Sequence, residues 1–196
     1  MRIAFLRHGP TEWNGEGRIQ GRIDTPLSPA GVTKMAGLLP PAGFENARAF
    51  TSPQLRARET AALLGYPHAT PDARLAEHHW GAWEGLTREE ILARDGDDAF
   101  TRAGLGIEFT PKDGESTRDL LARVSDFLRD VARDEGDAIA IAHRGILRSA
   151  YTLATGWQMM TPMPEKLDLE TALILALDKD GNATIAELNV PLRARS

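Results

Sequence analysis

Three short apolar segments of this chain each stop at a residue suited to handling an anion. Ile3 to Leu6 runs into Arg7-His8, Arg48 to Thr51 into Ser52, and Asp137 to Ala142 into His143. Apolar runs of this length, bounded by polar residues, read as buried strands. Helix-start signals lie between them. Ser28-Pro29 and Ser52-Pro53 each offer serine as N-cap and proline at the first helical position. They predict helices from Ser28 to about Leu39 and from Ser52 through Leu64, the second closed by Gly65. Gly145 to Thr155 reads as a helix following the third strand. Strands alternating with helices imply an α/β sheet with helices on both faces.

The rest of the chain fits that frame. Thr87 to Arg94 is predicted as a short helix, and Asp95 to Gly114 as a polar, glycine-rich excursion over one face. Ser116 to Asp119 resembles a capping box, and Leu120, Val124, Phe127, Leu128 and Val131 share one stripe of the helix it opens. Ala172 to Leu177 and Ala183 to Leu188, joined through Asp180-Gly181-Asn182, form a predicted hairpin. The expected architecture is a three-layer αβα fold with a mostly parallel central sheet. It forms a single domain over 1–196, with a short cover segment at about 86–115.

Composition removes several classes of function. A net charge of −5 supplies no basic field for nucleic acid. The absence of cysteine excludes disulfides, thiolate chemistry and zinc–sulfur sites. No stretch approaches the roughly 18 apolar residues of a membrane span, and Met1 to Leu6 is too short an apolar run for a signal peptide. A cytoplasmic protein is expected, either monomer or homodimer.

In open α/β sheets, ligands bind outside the carboxyl ends of the strands. Arg7, His8, Arg56 and His143 are therefore expected to converge on one sheet edge. Two guanidiniums beside two imidazoles repel one another unless an anion lies between them. A phosphate dianion is the natural partner, because arginine binds it bidentately.

The same residues carry a resemblance. Leu6-Arg7-His8-Gly9-Pro10-Thr11-Glu12-Trp13-Asn14 resembles the opening motif of the histidine phosphatase superfamily, which includes the cofactor-dependent phosphoglycerate mutases. The likeness continues at Gln20 to Ser28, Thr51 to Ala61, Leu75 to Gly85, Gly114 to Ser116 and Ala142 to Arg148. Arg-His-Gly alone would be a weak signal. Six blocks in the family's order, spanning roughly residues 3 to 150, are a specific one.

The resemblance implies a phosphoglycerate mutase-like fold and a set of roles. His8 would be the nucleophile that forms a phosphohistidine, and Glu77 the proton donor and acceptor. Arg7, Arg56 and His143 would surround the phosphoryl oxygens, Asn14 would donate a further hydrogen bond, and Gln20 and Gly21 would close over the substrate. Imidazole suits attack on phosphorus because it is largely neutral near pH 7. Phosphoryl transfer needs positioning and charge stabilisation above all. Neither a metal nor a cofactor is implied, since the arginines supply the charge. The partner is a small phosphorylated substrate.

Competing assignments are few. Arg58 is two residues from Arg56 and so on another helix face; the family spacing from Ser52 selects Arg56. Glu84 competes with Glu77, and the Leu-x-Glu context selects Glu77. Arg148 reads as solvated charge, and Trp80 and Trp83 as either pocket wall or packing. Arg144 replaces the small residue common in the family after the second histidine; it either adds a cation to the pocket or points outward. Pro10 replaces a common glutamate and removes a backbone N–H. A metallohydrolase built on His78, His79 and His143 lacks the i, i+4 ligand spacing. A non-catalytic phospholigand binder would be expected to have lost His8 or Glu77. The family's mutases carry a longer insertion where this chain has only Leu86 to Asp113. That difference points to a metal-independent phosphomonoesterase rather than a 2,3-bisphosphoglycerate-dependent mutase.

Overall fold

The structure is a computed structural model and describes residues 1–195. Its centre is a six-stranded sheet in the order β4-β3-β5-β1-β6-β7. The strands are β1 (Arg2–Arg7), β3 (Arg48–Thr51), β4 (Thr70–Pro71), β5 (Ala138–Ala142), β6 (Ala172–Leu177) and β7 (Ala183–Val190). β1, β3, β4 and β5 run parallel, while β6 and β7 add the antiparallel hairpin expected at the C-terminal end.

Alternation along the central strands divides the core between two faces. Ile3 and Phe5 of β1, with Ala138, Ala140 and Ala142 of β5, meet α6 (Thr117–Val131) and α7 (Arg144–Thr155). Ala4, Leu6, Ile139 and Ile141 point the other way, toward Met35 of α2 (Pro29–Ala36) and Ala57 of α3 (Leu55–Leu63). All five stripe residues of α6 are buried as expected, and Ser116 caps its Asp119 N–H. Burying a side chain such as Phe127 contributes roughly 1.5–3 kcal/mol.

Several boundaries move. α2 ends at Ala36 because Leu38–Leu39 leave the helix as β2, pairing with β8 (Arg193–Ala194). Ser52 is not an N-cap: α3 starts later, and Asp24 Oδ1 accepts from Leu55 N–H (2.6 Å) at its exposed end. One turn, α1 (Glu12–Gly15), was not expected; a reciprocal Thr11–Asn14 capping box closes it. The excursion is not wholly irregular. With α4 (Arg88–Asp95, capped by Thr87) and α5 (Ala99–Arg102), it builds a small separate cluster on Trp83, Ile91 and Ala99.

Register decides where the site falls. Arg7 lies opposite Ala142, His8 N–H donates to Ala142 O (2.9 Å), and Ser52 N–H donates to Ile141 O (2.9 Å). The ends of β1, β3 and β5 are thus level, so Arg7-His8, Ser52 and His143 leave the sheet side by side.

Candidate active site

A cavity of about 700 Å³ opens at that edge. Arg7, His8, Asn14, Gln20, Gly21, Arg56 and Glu77 all line it. His143 is completely buried behind this wall, its ring centroid 5.2 Å from that of His8. The eight residues singled out from the sequence therefore gather in one place.

His8 is 6% exposed, and its Nδ1 lies 2.7 Å from Gly9 O. A carbonyl can only accept, so Nδ1 carries the proton and Nε2 keeps a lone pair. Burial, reinforced by Arg7 and then Arg56, holds the His8 pKa down at about 3. Burial does the same to His143, which falls well below the ordinary histidine value. Both rings are neutral at physiological pH. His143 Nε2 is held by Ser52 Oγ at 2.7 Å.

Arg56 is completely buried and donates to Ile23 O (2.9 Å) and Gly21 O (3.0 Å). Burial pulls the pKa values of Arg7 and Arg56 down from the usual guanidinium range, and the nearby charge of Glu77 works against this. Among the described residues, neither arginine has a carboxylate partner within ion-pair distance. Arg7 Nε, Arg56 Nε and His143 Nδ1 are all buried without a hydrogen-bond partner. Buried polar groups are nearly always paired, so two orphaned guanidinium N–H donors, both on residues lining one cavity, describe a site shaped for an anion.

Glu77 is half-buried, and its Oε1 accepts from the N–H groups of His78 (2.8 Å) and Gly145 (3.0 Å), the latter in the first turn of α7. Glu84 has a different task. Its Oε1 accepts from Arg22 N–H (2.8 Å) and Trp80 N–H (3.0 Å), and it does not line the cavity. Gly21 has φ +52°, and a Cβ there would sit 2.0 Å from Glu84 Oε1, so only glycine fits. Gln20 is buried and accepts from Thr25 Oγ1 (2.6 Å). Asn14 uses its Oδ1 in the Thr11 capping box, which leaves its NH₂ for a ligand.

Sequence reasoning missed three contributors. Gln54 Nε2 donates to Gly21 O (2.7 Å), while its Oε1 accepts from Glu77 N–H (2.8 Å) and Ser52 Oγ (3.3 Å). Ser52, expected as a helix cap, instead holds His143. Arg148, expected as solvated charge, is half-buried in the cavity wall with its guanidinium 5.4 Å from the Trp157 ring centroid. The signal for it was its i, i+4 relation to Arg144, which also lines the cavity. The tryptophans divide: Trp80 lines the cavity, whereas Trp83 is buried beneath the cover with Nε1–H donating to Asp95 (2.7 Å). His78 is buried against Glu115 O (2.6 Å), and no group of three or more His, Asp or Glu with metal-holding geometry occurs among the described residues.

A parallel-sheet edge carrying a neutral buried histidine between unpaired arginines defines a phosphoryl-transfer site of the histidine type. Residues 3–190 match the histidine phosphatase superfamily, branch 1, and the chain belongs to that family. The chain is 31% identical over 163 residues to a metal-independent phosphoserine phosphatase of Arabidopsis thaliana, covering 78% of this chain and 68% of that one. It is 31% identical over 200 residues to a 2,3-bisphosphoglycerate-dependent phosphoglycerate mutase of Xanthobacter autotrophicus, covering 94% and 95%. The structure of a mycobacterial glucosyl-3-phosphoglycerate phosphatase in complex with VO3 superposes with a TM-score of 0.80 at 26% identity, covering 96% and 98%. The protein is thus an enzyme acting on phosphomonoesters. Among the described residues, no helix is long and apolar enough to cross a membrane.

Proposed function

We propose that the protein is a metal-independent phosphomonoesterase that acts in the cytoplasm on a small phosphorylated metabolite through a phosphohistidine at His8. The observation that carries this reading is the state of His8. It is buried and neutral, with Nδ1 committed to Gly9 O and a lone pair left on Nε2. Nε2 attacks phosphorus, the P–N bond forms, and the ester P–O bond breaks. Glu77, when protonated, gives its proton to the departing alkoxide. As a carboxylate it then removes a proton from the water that cleaves the P–N bond, releasing inorganic phosphate and restoring His8.

Arg7 and Arg56 balance the charge on the transferring group, neutral His143 stands behind His8, and Asn14, Gln20 and Gly21 bound the group. Removing one such preorganised donor lowers the rate by about 100- to 1,000-fold. Hydrolysis is favoured over mutase chemistry by the small cover, whose own core contains only Trp83, Ile91 and Ala99 as buried residues. Phosphoglycerate mutase activity is the competing outcome, supported by the near full-length alignment with the Xanthobacter mutase.

A panel of phosphomonoesters assayed with chelator present separates the two. The panel includes 3-phosphoglycerate with and without 2,3-bisphosphoglycerate. Rapid phosphate release that ignores both chelator and bisphosphoglycerate supports the phosphatase. Bisphosphoglycerate-dependent isomerisation with negligible hydrolysis overturns it, and failure to trap an acid-labile phosphoenzyme at His8 overturns the mechanism.

A further inference from the structure

The cavity holds more positive charge than a phosphomonoester needs. Besides Arg7 and Arg56, its wall includes Arg18, Arg88, Arg144 and Arg148, against Glu77 as the one acidic residue lining it. Arg18 is neutralised by Glu16 and Glu90, and Arg88 lies over the Phe100 ring, 4.3 Å from its centroid. Arg88 has no ion pair among the described residues, but Arg144 and Arg148 differ from it and from Arg18 as two like charges set side by side. They are one turn apart on α7, on the same face, and neither has a carboxylate within ion-pair distance among the described residues. Most other arginines of this acidic chain are ion-paired, including Arg2, Arg48, Arg74, Arg123 and Arg193.

Arg148 is fixed rather than free: its guanidinium lies against Trp157, and burial together with the charge of Arg144 depresses its pKa. A like-charged pair held in a cleft without a counter-ion is unfavourable unless a ligand supplies the anion. Arg7 and Arg56 already match the phosphoryl dianion. The cavity volume lies within the roughly 300–1,000 Å³ that holds a drug-sized ligand, which leaves room for a second group.

From this placement, and resting on the phosphomonoesterase reading, we infer that the substrate carries a second anionic group, a carboxylate or a further phosphate, held by Arg144 and Arg148. Planar guanidinium forks suit either oxyanion. The pair thus selects doubly anionic phosphomonoesters over esters with a neutral tail, and it contributes binding rather than chemistry.

The test separates binding from turnover. His8→Ala cannot form the phosphoenzyme, so calorimetry on it compares 3-phosphoglycerate with glycerol 3-phosphate, which lacks the carboxylate, and fructose 1,6-bisphosphate with fructose 6-phosphate. At least one doubly anionic member should bind about 10- to 100-fold more tightly than its partner. In the same background, R144Q/R148Q should bring that ratio close to one, while R58Q, which removes one charge from the exposed face of α3 as R144Q does from α7, should leave it intact. Arg144 is exposed, so R144Q alone lowers the ratio even if R148Q disturbs the packing on Trp157. Equal affinities within both pairs, or a preference that survives in the folded double variant, overturn the inference. Absence of turnover in the wild-type enzyme, with the binding preference present, overturns the phosphatase reading instead.

Discussion

The depressed pKa of His8 makes stability depend on pH in a way that one substitution should isolate. Unfolded, the ring titrates near 6.5; folded, near 3. Between those values the unfolded chain binds a proton that the native protein refuses, so stability falls as the solution is acidified. Above pH 6.5 the contribution is flat. Below it, the slope approaches about 1.4 kcal/mol per pH unit, and the full difference by pH 3 is about 5 kcal/mol. From pH 7.5 to 5.0 the loss due to His8 alone is about 2 kcal/mol. Urea unfolding of wild type and His8→Gln at pH 7.5, 6.5, 5.5 and 5.0 measures it. His78, also shifted down by burial, adds the same sign in both proteins and cancels in the difference, and the burial that chiefly lowers His143 is retained in His8→Gln. The stability of wild type relative to His8→Gln should therefore fall by about 2 kcal/mol across the range. A difference that stays constant refutes a neutral buried His8. A wild type that gains on acidification would mean that His8 is ion-paired, with Glu77, the acidic residue lining the same cavity, as the candidate.

Other substitutions probe the supports of the site. In Gly145→Ala a Cβ would sit 2.3 Å from Glu77 Oε1; kcat should fall about 100-fold by displacement of the carboxylate, while the melting temperature, with alanine favoured in a helix, does not drop. Arg56→Lys keeps the charge but cannot span both Ile23 O and Gly21 O, and steady-state assays should show kcat/KM reduced by about 100-fold or more. Ser52→Ala strips the partner from His143 Nε2 in a completely buried site, and urea unfolding should register a loss of about 1–3 kcal/mol.

What was legible in the sequence follows from what is local. The ends of β1, β3 and β5 could be read because each buried run stops at a polar residue, and parallel register then levels those ends. The α6 stripe and the Thr87 cap could be read because both depend on spacings within one helix. Arg148 and Gln54 could not. From sequence alone, each is a polar residue near the start of a helix. Whether Arg148 faces solvent or a cavity depends on the cover, which arrives from residues 86–115, and on Trp157. Ser52 failed for a related reason. Its hydroxyl had a local use as a cap and a distant one at His143, 91 residues away, and the buried imidazole needed it more because no water could replace it.

Gln54 shows how the site can be rigid without being charged. Its amide reaches the Gly21 carbonyl that Arg56 also binds, the Glu77 backbone and the Ser52 hydroxyl that holds His143. One neutral side chain therefore joins the phosphate arginine, the candidate acid and the second histidine. A carboxylate in its place would compete with the substrate for Arg56, and a cation would add to a repulsion that already lowers both histidines. An amide does neither, and it donates and accepts at once. The anion site is held in shape by neutral hydrogen bonds, so its positive charge stays unspent until a phosphoryl group arrives. That is the condition for electrostatic preorganisation.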